Sequence, residues 1–160
     1  MMIGVIADTH DNVPKIEAAV ELFNSARVEY VLHAGDFVAP FAIDPFRPLS
    51  CPLLAVFGNN DGERLGLAAR LREVGQVHPY LATITLEDRS IAVVHYPELA
   101  EPLAKSGAYD LVVYGHTHRV DQRQDEGLLL NPGEAGGWLT GCSTIALVDL
   151  STLQVELREL

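Results

Sequence analysis

The chain has 160 residues, 48% of them apolar, with 22 acidic side chains against 11 basic ones and a formal net charge of −11. That apolar share is enough to bury a full core, so one domain over residues 1–160 is expected, and no run approaches the roughly 18 uncharged apolar residues needed to cross a bilayer. The acidic balance, with no basic stripe to displace counterions, argues against binding long nucleic acids.

Met2–Ala7 predicts a first strand that runs straight into Asp8. Asn12-Val13-Pro14 reads as a helix start with an Asn cap, and Ile16, Ala19, Val20 and Phe23 keep helical spacing through Ser25. Tyr30–His33 and Pro52–Phe57 predict the second and third strands, and Glu63–Val74 a helix with Leu67 and Leu71 on one face. Leu81–Leu86 and Ile91–His95 flank Glu87-Asp88-Arg89, a hairpin pattern. Glu98–Ser106 predicts a helix and Asp110–Tyr114 a strand. Val120–Gln124 with Leu128–Asn131, and Ser143–Leu150 with Leu153–Leu157, predict two closing hairpins. Helices alternate with strands early and hairpins dominate late, which favours a layered α/β fold of two packed mixed sheets flanked by helices.

The unusual polar residues follow the apolar runs. Asp8-Thr9-His10 comes after the first strand, Gly35-Asp36 after the second and Gly58-Asn59-Asn60-Asp61 after the third. His95 ends a hairpin strand, and Gly115-His116-Thr117-His118 follows Asp110–Tyr114. Ligands of open α/β sheets bind outside the carboxyl ends of the strands, so five such clusters can meet in one place. Asp8 with His10, and His116 with His118, are two apart and in extended chain would point to the same side. Imidazole and carboxylate donors without thiolates suit Mn²⁺, iron or Zn²⁺ better than a structural zinc site. Cys51 and Cys142 have no C-x-x-C spacing and are read as reduced structural thiols. The start Met1–Ala7 lacks the basic segment and cleavage site of a signal peptide, so a cytoplasmic protein is expected.

The order Asp-x-His, Gly-Asp, Gly-Asn-x-Asp, a single His and Gly-His-Thr-His, from Met2 to about Gly133 with Asn131-Pro132-Gly133 near its end, resembles the calcineurin-like metallophosphoesterase superfamily. More narrowly, it is similar to the small single-domain phosphodiesterases of bacteria and archaea. The resemblance implies a four-layer α/β/β/α sandwich and two divalent metal ions per chain, Mn²⁺ first, with iron, Ni²⁺ or Zn²⁺ as alternatives. Asp8, His10 and His118 would hold one ion, Asn59, His95 and His116 the other, and Asp36 would bridge them. The implied activity is hydrolysis of a small phosphate ester, a diester before a monoester, by in-line attack of a metal-bridging hydroxide. Asp36, Asn59, Asn60 and His95 are the candidate catalytic residues. The alternatives are a non-catalytic scaffold, as in the retromer subunit of this fold, which lacks a full set of metal-binding histidines, or a phosphate or nucleotide sensor.

Two positions depart from the family pattern. Asn60 stands where many larger relatives carry a His that assists the leaving group, so esters with low-pKa leaving groups are expected to react best. Tyr96 follows His95 where relatives usually have Gly, and it would narrow the cleft or offer a hydroxyl to substrate. Asn12 is read as a helix cap or a phosphate contact, Arg119 as a phosphate contact or a surface ion pair, and Asp61 as a support for a ligand or a turn residue. His33 is read as a packed strand residue. The apolar segments Phe37–Phe46 and Trp138–Leu139 would suit a homodimer contact.

Overall fold

The structure is a computed structural model and describes residues 1–160. In chain order it contains β1 (Met2–Ile6), α1 (Val13–Ser25), β2 (Tyr30–His33), a 3₁₀ helix (Pro40–Phe46), β3 (Leu53–Val56), α2 (Arg64–Leu71), β4 (Gly75–His78), β5 (Leu81–Leu86) and β6 (Arg89–Val94). There follow α3 (Pro97–Lys105), β7 (Leu111–Val113), β8 (Val120–Gln124), β9 (Leu128–Pro132), β10 (Thr144–Asp149) and β11 (Gln154–Glu159). The strands form a six-stranded sheet, β11-β10-β1-β2-β3-β4, and a five-stranded sheet, β5-β6-β7-β9-β8. Both are mixed: β1 to β4 run parallel, β10 runs antiparallel to β1 and β11 antiparallel to β10, and β6, β7 and β9 run parallel with β5 and β8 antiparallel.

The layers follow from the period-two alternation of strands buried on both faces. Ile3, Val5 and Ala7, with Leu32, Ala34, Leu54 and Val56, enter a core of 17 buried residues shared with the second sheet. Their neighbours Ile6, Val31, Leu53 and Ala55 turn the other way, into a cluster of 19 buried residues beneath α1, the 3₁₀ helix and α2. A third cluster packs Ala100 and Ala104 of α3 on Ala92, Val94, Val112 and Leu129 of the second sheet. Three cores between four layers make the α/β/β/α sandwich. Helix α1 buries Ile16, Ala19, Val20 and Phe23 at the predicted spacing, and each large apolar side chain so buried contributes roughly 1.5–3 kcal/mol.

Several local readings need correction. The 3₁₀ helix and β4 were not expected. Pro45, inside the first of these, lacks the N–H that an α-helix would bond there. The second, Gly75-Gln76-Val77-His78, has no apolar alternation and owes its form to parallel pairing with β3, Leu53 opposite Gly75. The hairpin between β5 and β6 turns on Glu87 and Asp88 alone, both at positive φ (46° and 64°), while Arg89 pairs with Leu86. Asn12 holds the N-cap position of α1 without capping it. Its Nδ2 instead donates to the Gly136 carbonyl, 2.7 Å away.

The parallel arrangement brings the carboxyl ends of β1, β2 and β3 to the same end as those of β6 and β7. The loop after β9 crosses between the sheets there, with Ala135 N–H bonded to the Ala7 carbonyl and Gly136 N–H to that of Asp8.

Candidate metal centre

All seven predicted ligands meet at this end of the sandwich. Donor atoms of Asp8, His10, Asp36 and His118 lie within 4.8 Å of one another. His10 Nε2 is 3.9 Å from Asp8 Oδ1 and 3.5 Å from Asp36 Oδ2, and His118 Nε2 is 3.8 Å from Asp8 Oδ1. Next to them, Asn59 Oδ1 lies 2.8 Å from both His95 Nε2 and His116 Nδ1. Asp36 stands between the two groups, since its Oδ2 is also 3.6 Å from His95 Nε2.

The chain reaches this geometry through turns and not through extended strand ends. Asp8, His10, Asp36, His116 and His118 all have positive φ, between 41° and 69°. The expectation that the Asp-x-His and His-x-His pairs point to one side as extended chain is therefore wrong in its mechanism. Left-handed backbone of this kind costs roughly 1–2 kcal/mol per residue, and it clusters where function and surrounding structure demand it. Backbone bonds hold it here: Asp8 N–H to the Gly35 carbonyl, His10 N–H to that of Asp36, and Gly115 N–H to that of His95. Gly35 (φ 96°) and Gly58 lie so close together that a Cβ on Gly58 would overlap Asp36 Oδ1, and one on Gly35 would stand 2.7 Å from the Gly58 nitrogen.

Asp61 braces these loops. Its buried carboxylate accepts the N–H groups of Asp36 (3.0 Å), Gly58 (2.7 Å) and Val38 (2.8 Å). Asn60 binds both oxygens of Asp36, through its N–H at 2.8 Å and its Nδ2 at 2.7 Å. His33 is fully buried, stacked on Phe37 at 3.7 Å between ring centres. Its Nδ1 accepts the Gly35 N–H, and its Nε2 lies 3.3 Å from Thr9 Oγ1, so it is the packed strand residue expected. Tyr96 packs edge-on against His95 and His116, with ring centres 5.0 and 5.1 Å away. Asn12 is tied to Gly136, as described, and Arg119 is exposed just before β8.

The electrostatics of the protein alone are unfavourable, and divalent cations would relieve them. Burial, and then the neighbouring Asp36, push the Asp8 carboxyl well above the ordinary carboxylate range. Burial likewise lowers His10 and His95 from the usual histidine value, against the pull of Asp36. His10 Nε2 is buried without a hydrogen-bond partner. His95 Nδ1 lies 2.7 Å from the Ala34 carbonyl and donates to it. Its Nε2 therefore turns a lone pair toward the Asn59 oxygen, an approach that a shared cation makes favourable. The donor set (imidazole, carboxylate and amide oxygen, with no thiol) fits hard or borderline divalent ions.

A family model for the calcineurin-like phosphoesterase superfamily domain matches residues 1–153. The chain belongs to that superfamily. Within it, a phosphodiesterase of Methanocaldococcus jannaschii, MJ0936, is 41% identical over 165 residues, covering 100% of this chain and 98% of its own. The solved structure of an archaeal phosphodiesterase superposes with a TM-score of 0.94 at 38% identity, with 100% of both chains covered. A Vps29 of Entamoeba histolytica shares the fold alone, with a TM-score of 0.72 at 19% identity over 100% and 99% of the two chains. No helix of this superfamily member is long and apolar enough to cross a membrane.

One residue of the centre escaped sequence reasoning. Glu134 lies just past Asn131-Pro132-Gly133, and its side chain is wholly buried against His118, with Oε1 3.2 Å from Nδ1. It also accepts the N–H groups of Trp138, Leu139 and Thr140 and the Thr140 hydroxyl. Burial alone would raise its pKa, but the bonds from Thr140 and Leu139 outweigh it and hold the carboxyl below its ordinary value. The available signal was a lone acid inside the Gly-rich stretch Gly133–Gly137.

Proposed function

We propose that this protein is a phosphodiesterase that works with two divalent cations, Mn²⁺ first among them, on a small phosphate-ester substrate. Asp8, His10 and His118 would hold one cation, Asn59, His95 and His116 the other, and Asp36 would bridge them. The observation that carries this reading is the position of Asp36 Oδ2, 3.5 Å from His10 Nε2 on one side and 3.6 Å from His95 Nε2 on the other. Such a pair of cations supplies Lewis acidity toward the phosphoryl group and lowers the pKa of bound water.

The protein's own residues prepare the place. Asp8 and Asp36 offset only part of the positive charge that two divalent ions bring, so an acidic protein can still attract a phosphate anion. Asn60 orients both oxygens of Asp36 and, being an amide, gives no proton to a leaving group. Diesters with low-pKa leaving groups are accordingly favoured, and the 41% identical phosphodiesterase supports diester over monoester. Tyr96 edges the cleft beside His95 and His116, and Arg119 is free to meet a phosphate. Asn12 has its amide committed to Gly136 and serves the loop before the substrate. The two unpaired cysteines fit a cytoplasmic setting, and the exposed Trp138 and Leu139 would suit a homodimer contact.

Metal-stripped protein given Mn²⁺, Zn²⁺, Ni²⁺ or Mg²⁺ separately should hydrolyse bis-p-nitrophenyl phosphate faster than p-nitrophenyl phosphate. Asp36→Ala should lose turnover and cation binding together. A fully active, fully loaded Asp36→Ala protein would sink the assignment. The lack of a proton donor at Asn60 favours one second reading, a phosphate or nucleotide sensor; two bound cations without turnover of either ester would establish it instead.

A further inference from the structure

Glu134 is a buried carboxylate with no part in the chemistry above, yet it touches a candidate ligand. Oε1 faces the Trp138 N–H at 3.0 Å, the Leu139 N–H at 3.1 Å and His118 Nδ1 at 3.2 Å. Oε2 faces the Leu139 N–H at 3.2 Å, the Thr140 N–H at 2.9 Å and the Thr140 hydroxyl at 2.8 Å. Both oxygens are thus surrounded by donors, and no acid or base in the reaction is within reach through them. The Trp138 indole is pinned at its far side as well, since Nε1 donates to the His10 carbonyl at 2.9 Å. One carboxylate therefore connects His118 to a segment that also grips the backbone of His10.

His118 Nδ1 is buried and lies 3.2 Å from Glu134 Oε1, with no other hydrogen-bond partner at hand. The opposite nitrogen, Nε2, faces Asp8. A ligand that takes the Nε2 lone pair leaves the ring proton on Nδ1, where Glu134 is the acceptor at hand. Carboxylate partners of this kind fix the tautomer and orientation of a metal-binding histidine.

We propose that Glu134 is a positioning residue of the centre, orienting His118 through Nδ1 and fastening the Trp138–Thr140 segment to the same carboxylate. The inference rests on His118 being a cation ligand, as proposed above. It assigns Glu134 to one of the two cations only, the one held by Asp8, His10 and His118.

The test is Glu134→Gln, with Zn²⁺ binding followed by calorimetry on the full chain. Gln has one acceptor oxygen and aims an NH₂ at donors in either orientation, so both halves of the device are disturbed. In the variant, one cation should bind 10- to 100-fold more weakly while the other stays within about threefold of the wild type. Affinities unchanged from wild type for both cations overturn the proposal, and so does loss of both by one common factor, which marks a purely structural role. Failure of the wild type to bind any cation would instead overturn the two-cation reading beneath it. Should Glu134→Gln not fold, imidazole ¹⁵N spectra of the zinc-loaded wild type decide the matter. A His118 proton on Nδ1, protected from exchange, supports the role, and a proton on Nε2 or a freely exchanging one refutes it.

Discussion

Replacing Asp61 by Ala should unfold the protein earlier than its small size suggests. The Asp61 side chain is buried and accepts three backbone N–H groups, those of Asp36, Gly58 and Val38, at 2.7–3.0 Å. Alanine leaves three donors in a closed space without partners. Bonds to a charged acceptor contribute roughly 1.5 kcal/mol each at the low end, so the expected loss is about 4.5 kcal/mol. For a chain of this length each kcal/mol shifts the thermal midpoint by about 2–4 °C, which puts Asp61→Ala roughly 9–18 °C below wild type. Asp61→Asn should fall in between: its oxygen can keep the Asp36 and Gly58 donors, while its NH₂ meets the Val38 N–H donor to donor. Thermal melts of the metal-stripped proteins, followed by circular dichroism, measure both shifts. A midpoint for Asp61→Ala within about 3 °C of wild type would show that these bonds are replaceable by water and that the loops bearing Asp36 and Asn59 hold themselves.

Gly58→Ala should spare the fold but displace Asp36, because the added Cβ would overlap Asp36 Oδ1. Zinc affinity by calorimetry should drop at least about tenfold with little change in far-ultraviolet dichroism, and unchanged affinity would contradict the close approach. The pair Asp110 and Arg89 offers a pH test. The Ser90 N–H and then the Arg89 guanidinium hold the Asp110 carboxyl below its ordinary value, so its contribution is present above the unfolded pKa and lost as pH falls through the lower folded value. Both side chains are one-third exposed, so Asp110→Asn should cost no more than about 1 kcal/mol at neutral pH. Urea melts of the two proteins should converge in acid, and a gap that persists there would assign the loss to something other than charge.

Much of the site was legible because its signals are local. Asp8, Asp36, Asn59, His95 and His116 each follow an apolar run, and a parallel sheet collects such ends in one place whatever the details of the turns. Burial of both faces of β1, β2 and β3 could be expected from their unbroken apolar runs. Pairing of distant residues could not be read in this way. Asn12 looked like a helix cap because a cap is the partner closest in sequence, yet its amide bonds Gly136, 124 residues away. Strand β4 has no pattern of its own and exists because β3 offers it an edge.

By itself the sequence determined which chemical groups line the centre and the layered class of the fold, since both follow from residue types and from periodicities of two and 3.6. Only the tertiary structure decided how those groups are held. Left-handed backbone at five of the proposed ligands is tolerable because neighbouring loops bond it in place. The bracing carboxylates Asp61 and Glu134 gain their partners from separate segments of chain. Contacts of that kind depend on where the loops close, which residue types and periodicities do not specify.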